Sequence, residues 1–334
     1  MQSGNSLPMA RSLGDSAIQV GAVGLGCWAI GGEWTDSEGN PLGWGEVDDD
    51  ESVVAIRRAL ELGANFFDTA DVYGAGRSER VLGRALAGHR DEVVIATKWG
   101  NVFDESSRTM TGADETPEYA RKALHASLSR LGTDYVDLYQ LHLSDVDAEV
   151  GARLRDVCEE FVAEGLIRGY AWSTDDQARA RVFTAGEHCV AVQHECSVLH
   201  DAPELLALCE ESGVASINRS PLAMGLLTGK YTSADGVARG DIRGTPPGWL
   251  RWFTEDGASA QWVARAEAVR EVLTSGGRTL AQGAIGWLWA RSPRTVPIPG
   301  FRSVAQVEQN VGALDFGPLT PEQMKEIEGL LARV

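Results

Sequence analysis

Short apolar runs alternate with amphipathic segments along almost the whole chain, and this alternation constrains the fold more than any other feature. Apolar runs bounded by turn residues are typical of buried strands, and the longer segments between them show a helical period. Strands that alternate with helices form right-handed βαβ units around a parallel sheet. The predicted strands are Val23–Cys27, Asn65–Asp68, Val93–Lys98, Val136–His142, Ile167–Trp172, Ala191–Gln193, Val214–Asn218 and Thr295–Pro297. The predicted helices are Asp48–Leu62, Ser78–Ala87, Pro117–Leu131, Glu149–Glu164, Asp175–Thr184, Pro203–Ser212, Ala258–Ser275, Leu280–Arg291, Ser303–Ala313 and Pro321–Ala332.

Eight predicted strands, each followed by a helix, are the number that closes an α/β barrel of the (β/α)₈ TIM type. A doubly wound sheet is the alternative, but Gly24-Leu-Gly26 lacks the third glycine and the following helix of a dinucleotide fingerprint. No Pro- or Ser-rich linker divides the chain, so we expect residues 11–334 to form a single barrel domain after a flexible leader at residues 1–10. Arg11–Val20 predicts an N-terminal β-hairpin, and extra helices close the C-terminal end.

The composition narrows the classes of partner. Of the 334 residues 43% are hydrophobic, which is ample for a large core, and no apolar run reaches the roughly 18 residues that a membrane span needs. A net charge of −18 argues against binding to nucleic acid or to an anionic membrane. The five cysteines form no C-x-x-C pair, which indicates reduced thiols in a cytoplasm rather than disulfides or a metal site.

Three adjacent predicted strands end in polar residues that can take part in proton transfer. Asp68 ends the second strand and Lys98 the third. His142 ends the fourth, and Tyr73 follows Asp68 in the next loop. Taken singly, each residue has a structural explanation, such as a loop cap or a solvated strand end. Because the catalytic residues of such barrels lie at the carboxyl ends of the strands, the four together predict an active site.

The reaction that fits these groups is reduction of a carbonyl by hydride. The alkoxide that forms needs a proton from a positioned acid, and Tyr73 can supply it. A protonated Lys98, held by Asp68, favours the ionised phenol, so we expect the Tyr73 pKa to fall from about 10 toward the working range. His142 would donate a hydrogen bond to the carbonyl oxygen. None of the four can deliver hydride, so a nicotinamide cofactor is required.

Five segments match one family's motifs: Phe67-Asp-Thr-Ala70, Ser78-Glu-Arg-Val-Leu-Gly83, Asp137-Leu-Tyr-Gln-Leu-His142, Ser220-Pro-Leu-Ala-Met-Gly-Leu-Leu-Thr-Gly-Lys230 and Ile298-Pro-Gly-Phe-Arg-Ser-Val-Ala-Gln-Val-Glu-Gln-Asn310. By these motifs the chain resembles the aldo-keto reductases over nearly its whole length, in their bacterial-type branch that is similar to channel β subunits. The resemblance implies that Asp68, Tyr73, Lys98 and His142 are the family's catalytic tetrad, with Tyr73 as the general acid.

Phosphates in such barrels bind at the loops after the last two strands and at a helix N-terminus. Here those loops are Ser220–Lys230 and Pro299–Ser303. Arg302, Gln306 and Asn310 share one helical face, and the resemblance implies that this face meets the adenosine end of the cofactor. Arg302 favours NADP(H), with NAD(H) still open. The expected cofactor-binding residues are Trp28, Ser173, Thr174, Gln193, Arg219, Ser220, Leu222, Gly225, Leu227, Gly229, Lys230, Pro299, Gly300, Arg302, Gln306, Gln309 and Asn310.

Two positions depart from the family pattern. Thr174 stands where the family carries the Asn of a Ser-Asn pair that binds the nicotinamide amide, and its hydroxyl cannot match both ends of an amide. Arg219 stands where the family carries an aromatic residue that stacks on the nicotinamide ring, and its guanidinium can stack or pair with an anion. Gln193 matches the family's remaining amide partner.

The leading hypothesis is an NADP(H)-dependent oxidoreductase that reduces a small-molecule carbonyl substrate, an aldehyde, ketone or keto-sugar, as a monomer or homo-oligomer. A cofactor-binding regulatory subunit with slow turnover is an alternative, raised by the resemblance to channel β subunits. Oxidation of a sugar or alcohol is another, because Tyr73 as a phenolate would be the base in that direction. Tryptophans in the strand-end loops favour sugars or planar ring ketones: Trp28, Trp34, Trp44, Trp99, Trp249 and Trp252.

Overall fold

In the computed structural model, which describes residues 9–231 and 237–332, eight parallel strands form one sheet whose spatial order follows the chain. The barrel strands are β1 (Leu25–Gly26), β2 (Phe66–Asp68), β3 (Val94–Trp99), β4 (Val136–Leu141), β5 (Ile167–Ser173), β6 (Cys189–Glu195), β7 (Ala215–Arg219) and β8 (Thr295–Pro297). The sheet closes because the Gly24 N–H donates to the Pro297 carbonyl at 2.9 Å and the Gly26 N–H to the Pro299 carbonyl at 3.0 Å. The predicted (β/α)₈ barrel is confirmed, and the doubly wound alternative is wrong.

Helices surround the barrel, and side-chain caps set where several of them begin. They are α1 (Asp49–Glu61), α2 (Arg77–Leu86), α3 (Pro117–Leu131), α4 (Ala148–Ala163), α5 (Gln177–Thr184), α6 (Pro203–Glu211), α7 (Ala260–Thr274), α8 (Leu280–Arg291), α9 (Val304–Val311) and α10 (Pro321–Leu331). The Asp176 side chain accepts the Arg179 N–H, so α5 begins two residues later than predicted. Within residues 9–231 and 237–332, no helix is both long and apolar enough to cross a membrane.

The predicted N-terminal hairpin is present and closes the bottom of the barrel. Ala10–Ser12 pairs antiparallel with Gln19–Gly21. Residues 1–8 of the predicted leader lie outside the described residues, and Ala10 already belongs to the hairpin. The hairpin's apolar side chains join the interior of the barrel in one cluster, which contains Leu13, Ile18, Val20, Phe66, Val94, Ala96, Leu138, Ala171, Val190, Ala191, Ala215, Ile217, Val296 and Ile298.

A second hairpin, after β3, was not predicted from the sequence. Its strands are Asn101–Asp104 and Thr109–Ala113. All of their residues are exposed or half-buried. Because neither face of this hairpin is buried, its sequence does not need the alternation of apolar and polar residues that identifies a strand. The loop after β1 is bound to this hairpin, since the Thr35 N–H donates to the Arg108 carbonyl at 3.1 Å and the Met110 N–H to the Thr35 carbonyl at 2.8 Å. Two of the loops above the barrel are therefore joined.

Two helical glycines give a matched test of packing. A Cβ on Gly83 in α2 would lie 2.5 Å from the Leu131 carbonyl oxygen of α3, whereas a Cβ on Gly329 in α10 would meet nothing within 4 Å. Gly83→Ala is expected to lower the free energy of unfolding by about 1–3 kcal/mol, because two helices must move apart. Gly329→Ala is expected to raise it by roughly 0.5–1 kcal/mol through helix propensity. Urea unfolding measures both values, and a shift of the same sign in both variants would contradict the close approach of α2 and α3.

Candidate active site

The carboxyl ends of β2, β3 and β4 bring the four predicted catalytic residues together. Asp68 and Lys98 lie in β2 and β3, and His142 follows the last residue of β4. Tyr73 lies in the loop after β2, next to Gly74. Gly74 has φ +63°, and a Cβ there would lie 2.1 Å from the Gly31 carbonyl oxygen. This glycine therefore lets the loop after β1 approach the loop that carries Tyr73.

Lys98 lies at the centre of the group and carries a buried positive charge. Its Nζ donates to Asp68 Oδ1, to the Thr69 carbonyl oxygen at 2.8 Å and to the Tyr73 hydroxyl at 3.4 Å. Complete burial lowers a lysine pKa, but Asp68 and Tyr73 outweigh this effect and hold the pKa of Lys98 above its ordinary value. Lys98 is therefore protonated at neutral pH.

Asp68 is bound from three other strands. Oδ1 pairs with Lys98 of β3, and Oδ2 accepts hydrogen bonds from Gln140 of β4 and Gln193 of β6, each at 2.8 Å. The family resemblance implies that Gln193 binds the nicotinamide amide, and in the structure its amide nitrogen also donates to Asp68. Gln140 was missed, although its position two residues before His142 places it on the same side of the strand.

Tyr73 lies between two other rings. Trp28 stacks on it with a centroid separation of 5.9 Å and an interplanar angle of 20°, and His142 meets it edge-on at 5.8 Å. Burial raises the pKa of the Tyr73 phenol, and the Lys98 charge offsets only part of the increase. The expectation that the pKa would fall is therefore wrong, because burial disfavours the phenolate more than a cation 3.4 Å away favours it. The phenol is protonated at neutral pH.

His142 is neutral and has one nitrogen directed away from solvent. Burial, followed by the charges of Lys98 and Arg219, lowers the pKa of His142 well below its ordinary value. The imidazole lines the cleft described next, and its Nδ1 is buried with no hydrogen-bond partner among the described residues. A proton on Nδ1 would be an orphaned buried donor, so the tautomer with the proton on Nε2 is favoured.

A cleft of about 790 Å³ lies over the carboxyl end of the barrel and includes both Tyr73 and Arg302 in its walls. Most of the predicted cofactor-binding residues line it: Trp28, Ser173, Gln193, Arg219, Ser220, Leu222, Gly225, Lys230, Gly300, Arg302 and Gln306. The others do not: Thr174, Leu227, Gly229, Pro299, Gln309 and Asn310. Asn310 is 2% exposed and donates to the Gly300 carbonyl at 3.2 Å, so it supports the loop after β8 from below.

The loop after β7 has an unusual backbone. Ser220, Ala223 and Met224 have φ values of 53°, 46° and 53°, in the left-handed region that non-glycine residues rarely adopt, and Gly225 follows at 103°. Each such residue costs about 1–3 kcal/mol and persists where the surrounding structure requires it. Backbones that change hand between successive residues form concave sites for anions. This loop is therefore suited to hold a phosphate.

Arg243 also lines the cleft and was not identified from the sequence. Its guanidinium pairs with Asp241 at 2.9 and 2.6 Å, donates to the Met224 carbonyl at 3.1 Å and lies 4.4 Å from the Trp44 ring centroid. It is 7% exposed, so the cation is built into the wall of the cleft beside the strained loop. The segment around Asp241-Ile-Arg243 has neither a helical nor an alternating period, so no sequence pattern marks it as part of the site.

Arg302 is bound to the loop after β1. Its guanidinium donates to the Trp44 carbonyl at 3.0 Å and to the Glu46 carbonyl. A smaller cavity of about 310 Å³ beside it is lined by Glu46, Val47, Asp48, Glu51, Arg302, Ser303 and Gln306. The predicted phosphate-binding cation therefore lies next to carboxylates.

Known proteins resemble this chain over nearly its full length. The sequence model of the aldo/keto reductase family matches residues 22–332. The chain belongs to the aldo/keto reductase family. This aldo/keto reductase is 29% identical over 319 residues to an oxidoreductase of Bacillus subtilis (strain 168) named YqkF, and the match covers 95% of each chain.

Solved structures share the fold. The glycerol dehydrogenase AKR11B4 from Gluconobacter oxydans matches with a TM-score of 0.80 and 27% identity, over 98% of this chain and 96% of that one. An aldo/keto reductase from Klebsiella pneumoniae in complex with NADP and acetate matches with a TM-score of 0.69 and 25% identity, over 97% and 95%. The resemblance inferred from the motifs is confirmed, and this aldo/keto reductase is an oxidoreductase.

The burial of the Asp68–Lys98 pair predicts how its disruption changes the free energy of unfolding of this aldo/keto reductase. Asp68→Asn leaves the Lys98 ammonium buried without its counter-charge, so the free energy of unfolding at pH 7 should fall by about 3–5 kcal/mol. In the native chain the Lys98 pKa is raised on folding, so its stabilisation is complete below about pH 10.4 and is lost above the folded value. In the variant the folded pKa is lowered instead, so the deficit should shrink as the pH rises from about 7 toward 10.

Urea unfolding of the native and Asp68→Asn chains at both ends of that pH range measures the deficit. Glu164→Gln is the control, because it breaks the exposed Arg121–Glu164 pair and should leave the free energy of unfolding close to that of the native chain at both pH values. A deficit of constant size across the pH range would contradict a buried, charged Lys98.

Proposed function

We propose that this aldo/keto reductase is an NADP(H)-dependent enzyme that reduces the carbonyl of an aldehyde, ketone or keto-sugar to an alcohol. One observation carries the proposal: the protonated Tyr73 hydroxyl lies 3.4 Å from the Lys98 ammonium and edge-on to the neutral His142, in the wall of a deep cleft. An acid, a cation that stabilises its conjugate base and a neutral hydrogen-bond donor are the groups that a nascent alkoxide needs.

The residues present fit a nicotinamide dinucleotide. The strained loop from Ser220 to Gly225 offers main-chain groups to a phosphate, and the cations Lys230, Arg243 and Arg302 line the same cleft. These cations are concentrated there although the chain as a whole carries a charge of −18. When bound, the cofactor would supply the hydride. Ser173 and Gln193 would hold the end of the cofactor nearest Tyr73.

Three side chains have separate roles in the reduction of the carbonyl. His142 would donate from Nε2 to the carbonyl oxygen and orient it. Tyr73 would transfer its hydroxyl proton to the same oxygen as negative charge develops there. Lys98, held by Asp68 and the Thr69 carbonyl, would stabilise the phenolate that remains. The Tyr73 phenol, whose ordinary pKa is about 10 and is raised further by burial, keeps its proton at neutral pH and can act as the acid.

The preference for NADP(H) is supported by the Klebsiella pneumoniae protein, which was solved in complex with NADP, and by Arg302. Two of the guanidinium's five N–H groups are used by main-chain carbonyls, so others are free for a 2′-phosphate. Glu46 and Glu51 line the adjoining cavity, and their negative charges would weaken the binding of a 2′-phosphate there. NAD(H), which lacks this phosphate, therefore remains a possible cofactor for the same site.

The substrate class is supported by aromatic side chains at the mouth of the cleft. Trp28, which stacks on Tyr73, meets Trp44 edge-on at 5.4 Å and lies 6.4 Å from Trp249. Trp249 is 57% exposed, which is unusual for so large an apolar side chain. Asn101 adds a polar group to the same wall. Apolar ring faces with a few polar neighbours suit a sugar or a planar ring ketone.

Oxidation of an alcohol is the second candidate, favoured by the similarity to the glycerol dehydrogenase AKR11B4. In that direction the Tyr73 phenolate is the base. Since the pKa of Tyr73 is raised, oxidation should accelerate with rising pH throughout the range in which the protein is folded. A regulatory subunit with slow turnover is less favoured, because the Lys98 ammonium contacts both the Asp68 carboxylate and the Tyr73 hydroxyl, as proton transfer from the phenol requires.

Replacement of the acid tests the proposed function. Tyr73→Phe removes the proton donor but keeps the ring, so kcat for NADPH-dependent carbonyl reduction should fall by at least about 100-fold. The dissociation constant for NADPH, measured by fluorescence quenching, should stay within about twofold. Tyr135→Phe, which alters a tyrosine outside the cleft, is the control and should retain full turnover. Turnover that survives in Tyr73→Phe would overturn the acid assignment.

Replacement of Arg302 tests the cofactor preference. Arg302→Ala should weaken NADPH by roughly 10- to 100-fold, the value of a charge-assisted hydrogen bond to a phosphate, and should weaken NADH much less. Arg121→Ala on the outer surface of α3 is the control and should change neither constant. Arg302 also ties the loop at Trp44 and Glu46, so equal weakening of both cofactors would show a role in loop structure and contradict recognition of the 2′-phosphate.

A further inference from the structure

We propose that Asp175 and Arg219 form an ion pair that sets the relative affinity of the cleft for oxidised and reduced dinucleotide. This inference rests on the proposed function, since it concerns the nicotinamide end of the same site. It assigns a role to the two strand ends at which the sequence departs from the family pattern.

The structure joins those two strand ends. Arg219 is the last residue of β7, and Asp175 follows β5 by two residues. Asp175 Oδ2 accepts a hydrogen bond from the Arg219 guanidinium, and Oδ1 accepts the Glu195 N–H at 2.7 Å. The pair therefore bridges β5 and β7 across the end of β6. Both side chains line the cleft and are about one-third to one-half exposed, at 34% for Arg219 and 47% for Asp175.

Asp175, and not Thr174, is the residue that faces the cleft after β5. Thr174 is 2% exposed, and its hydroxyl oxygen accepts the Asp176 N–H at 3.1 Å. The family pattern has a neutral amide after β5 and an aromatic ring at the end of β7. This chain instead places a carboxylate and a guanidinium around the same part of the cleft.

The pair lies within electrostatic reach of the reacting groups. The Arg219 charge adds to the effects of burial and Lys98 that lower the pKa of His142, and it opposes the increase that burial causes in the pKa of Tyr73. Hydride transfer requires reacting atoms about 3–3.5 Å apart, so a donor ring must lie beside a carbonyl held by Tyr73 and His142. That part of the cleft is walled by Ser173, Gln193 and the ion pair.

The charge on the nicotinamide ring distinguishes the two forms of the cofactor. The ring is positive when oxidised and neutral when reduced, while the phosphates and the adenosine are the same in both. Arg219 therefore disfavours the oxidised form and Asp175 favours it. In the intact pair these effects largely offset one another. Removal of either charge alone should shift the ratio of the two dissociation constants, and the two shifts should have opposite signs.

The test measures dissociation constants for NADP⁺ and NADPH in native protein, Arg219→Gln, Asp175→Asn and the double variant, by fluorescence titration without substrate. In Arg219→Gln the ratio Kd(NADP⁺)/Kd(NADPH) should fall by about three- to tenfold, and in Asp175→Asn it should rise by a similar factor. The double variant should return to within about twofold of the native ratio. Arg219→Lys, which keeps the charge, should also stay near the native ratio.

Arg181→Gln and Glu211→Gln are controls, because Arg181 and Glu211 form another Arg–carboxylate ion pair, which is more exposed and lies outside the cleft. Both should leave the ratio unchanged. A purely structural bridge between strands would weaken both cofactors together, so a ratio that moves by less than about twofold in both single variants would overturn the proposal. Shifts of the same sign would also overturn it. Failure of the native protein to bind either dinucleotide would overturn the proposed function itself.

Discussion

The candidate active site depends on a lysine ammonium that has been removed from water. A buried charge of this kind destabilises a fold unless its counter-charge and hydrogen bonds are supplied by protein. Lys98 receives them from the Asp68 carboxylate and the Thr69 carbonyl, and Asp68 is in turn satisfied by Gln140 and Gln193. The side chains in this network come from β2, β3, β4 and β6, so the charge can be stabilised only when much of the barrel has assembled.

Burial and the same cation have different consequences for the two neighbouring groups. At Tyr73 burial raises the pKa and the cation opposes the increase, so the phenol keeps its proton. At His142 burial and the cation act in the same direction, so the imidazole stays neutral. A protonated phenol and a neutral imidazole N–H are the states required for proton donation to a carbonyl oxygen at neutral pH. The phenol would be protonated at neutral pH in water as well, and burial raises its pKa further. The neutral state of the imidazole is reinforced by burial, whose extent the sequence pattern alone does not quantify.

Features that repeat along the chain were predictable, and features that depend on contacts between distant segments were not. The alternating pattern located all eight barrel strands, and with them the strand ends that carry Asp68 and Lys98. The sign of the Tyr73 pKa change was predicted wrongly, because proximity to Lys98 is visible in the strand order whereas the degree of burial is not. Arg243 was missed because its partners, Asp241 and the Met224 carbonyl, lie in segments with no periodic pattern.

The location of the side chains that bind Asp68 determines which parts of the protein can vary in sequence without loss of the buried charge pair. Every side chain that binds this carboxylate belongs to a barrel strand, whereas Trp249 and most of the other aromatic residues at the mouth belong to loops. The parts that hold the Asp68–Lys98 pair are therefore separate from the parts that shape the entrance. Entrance loops other than the two that carry Trp28 and Tyr73 can be exchanged or lengthened, in evolution or by design, and the chain can acquire new substrates while its chemistry stays the same.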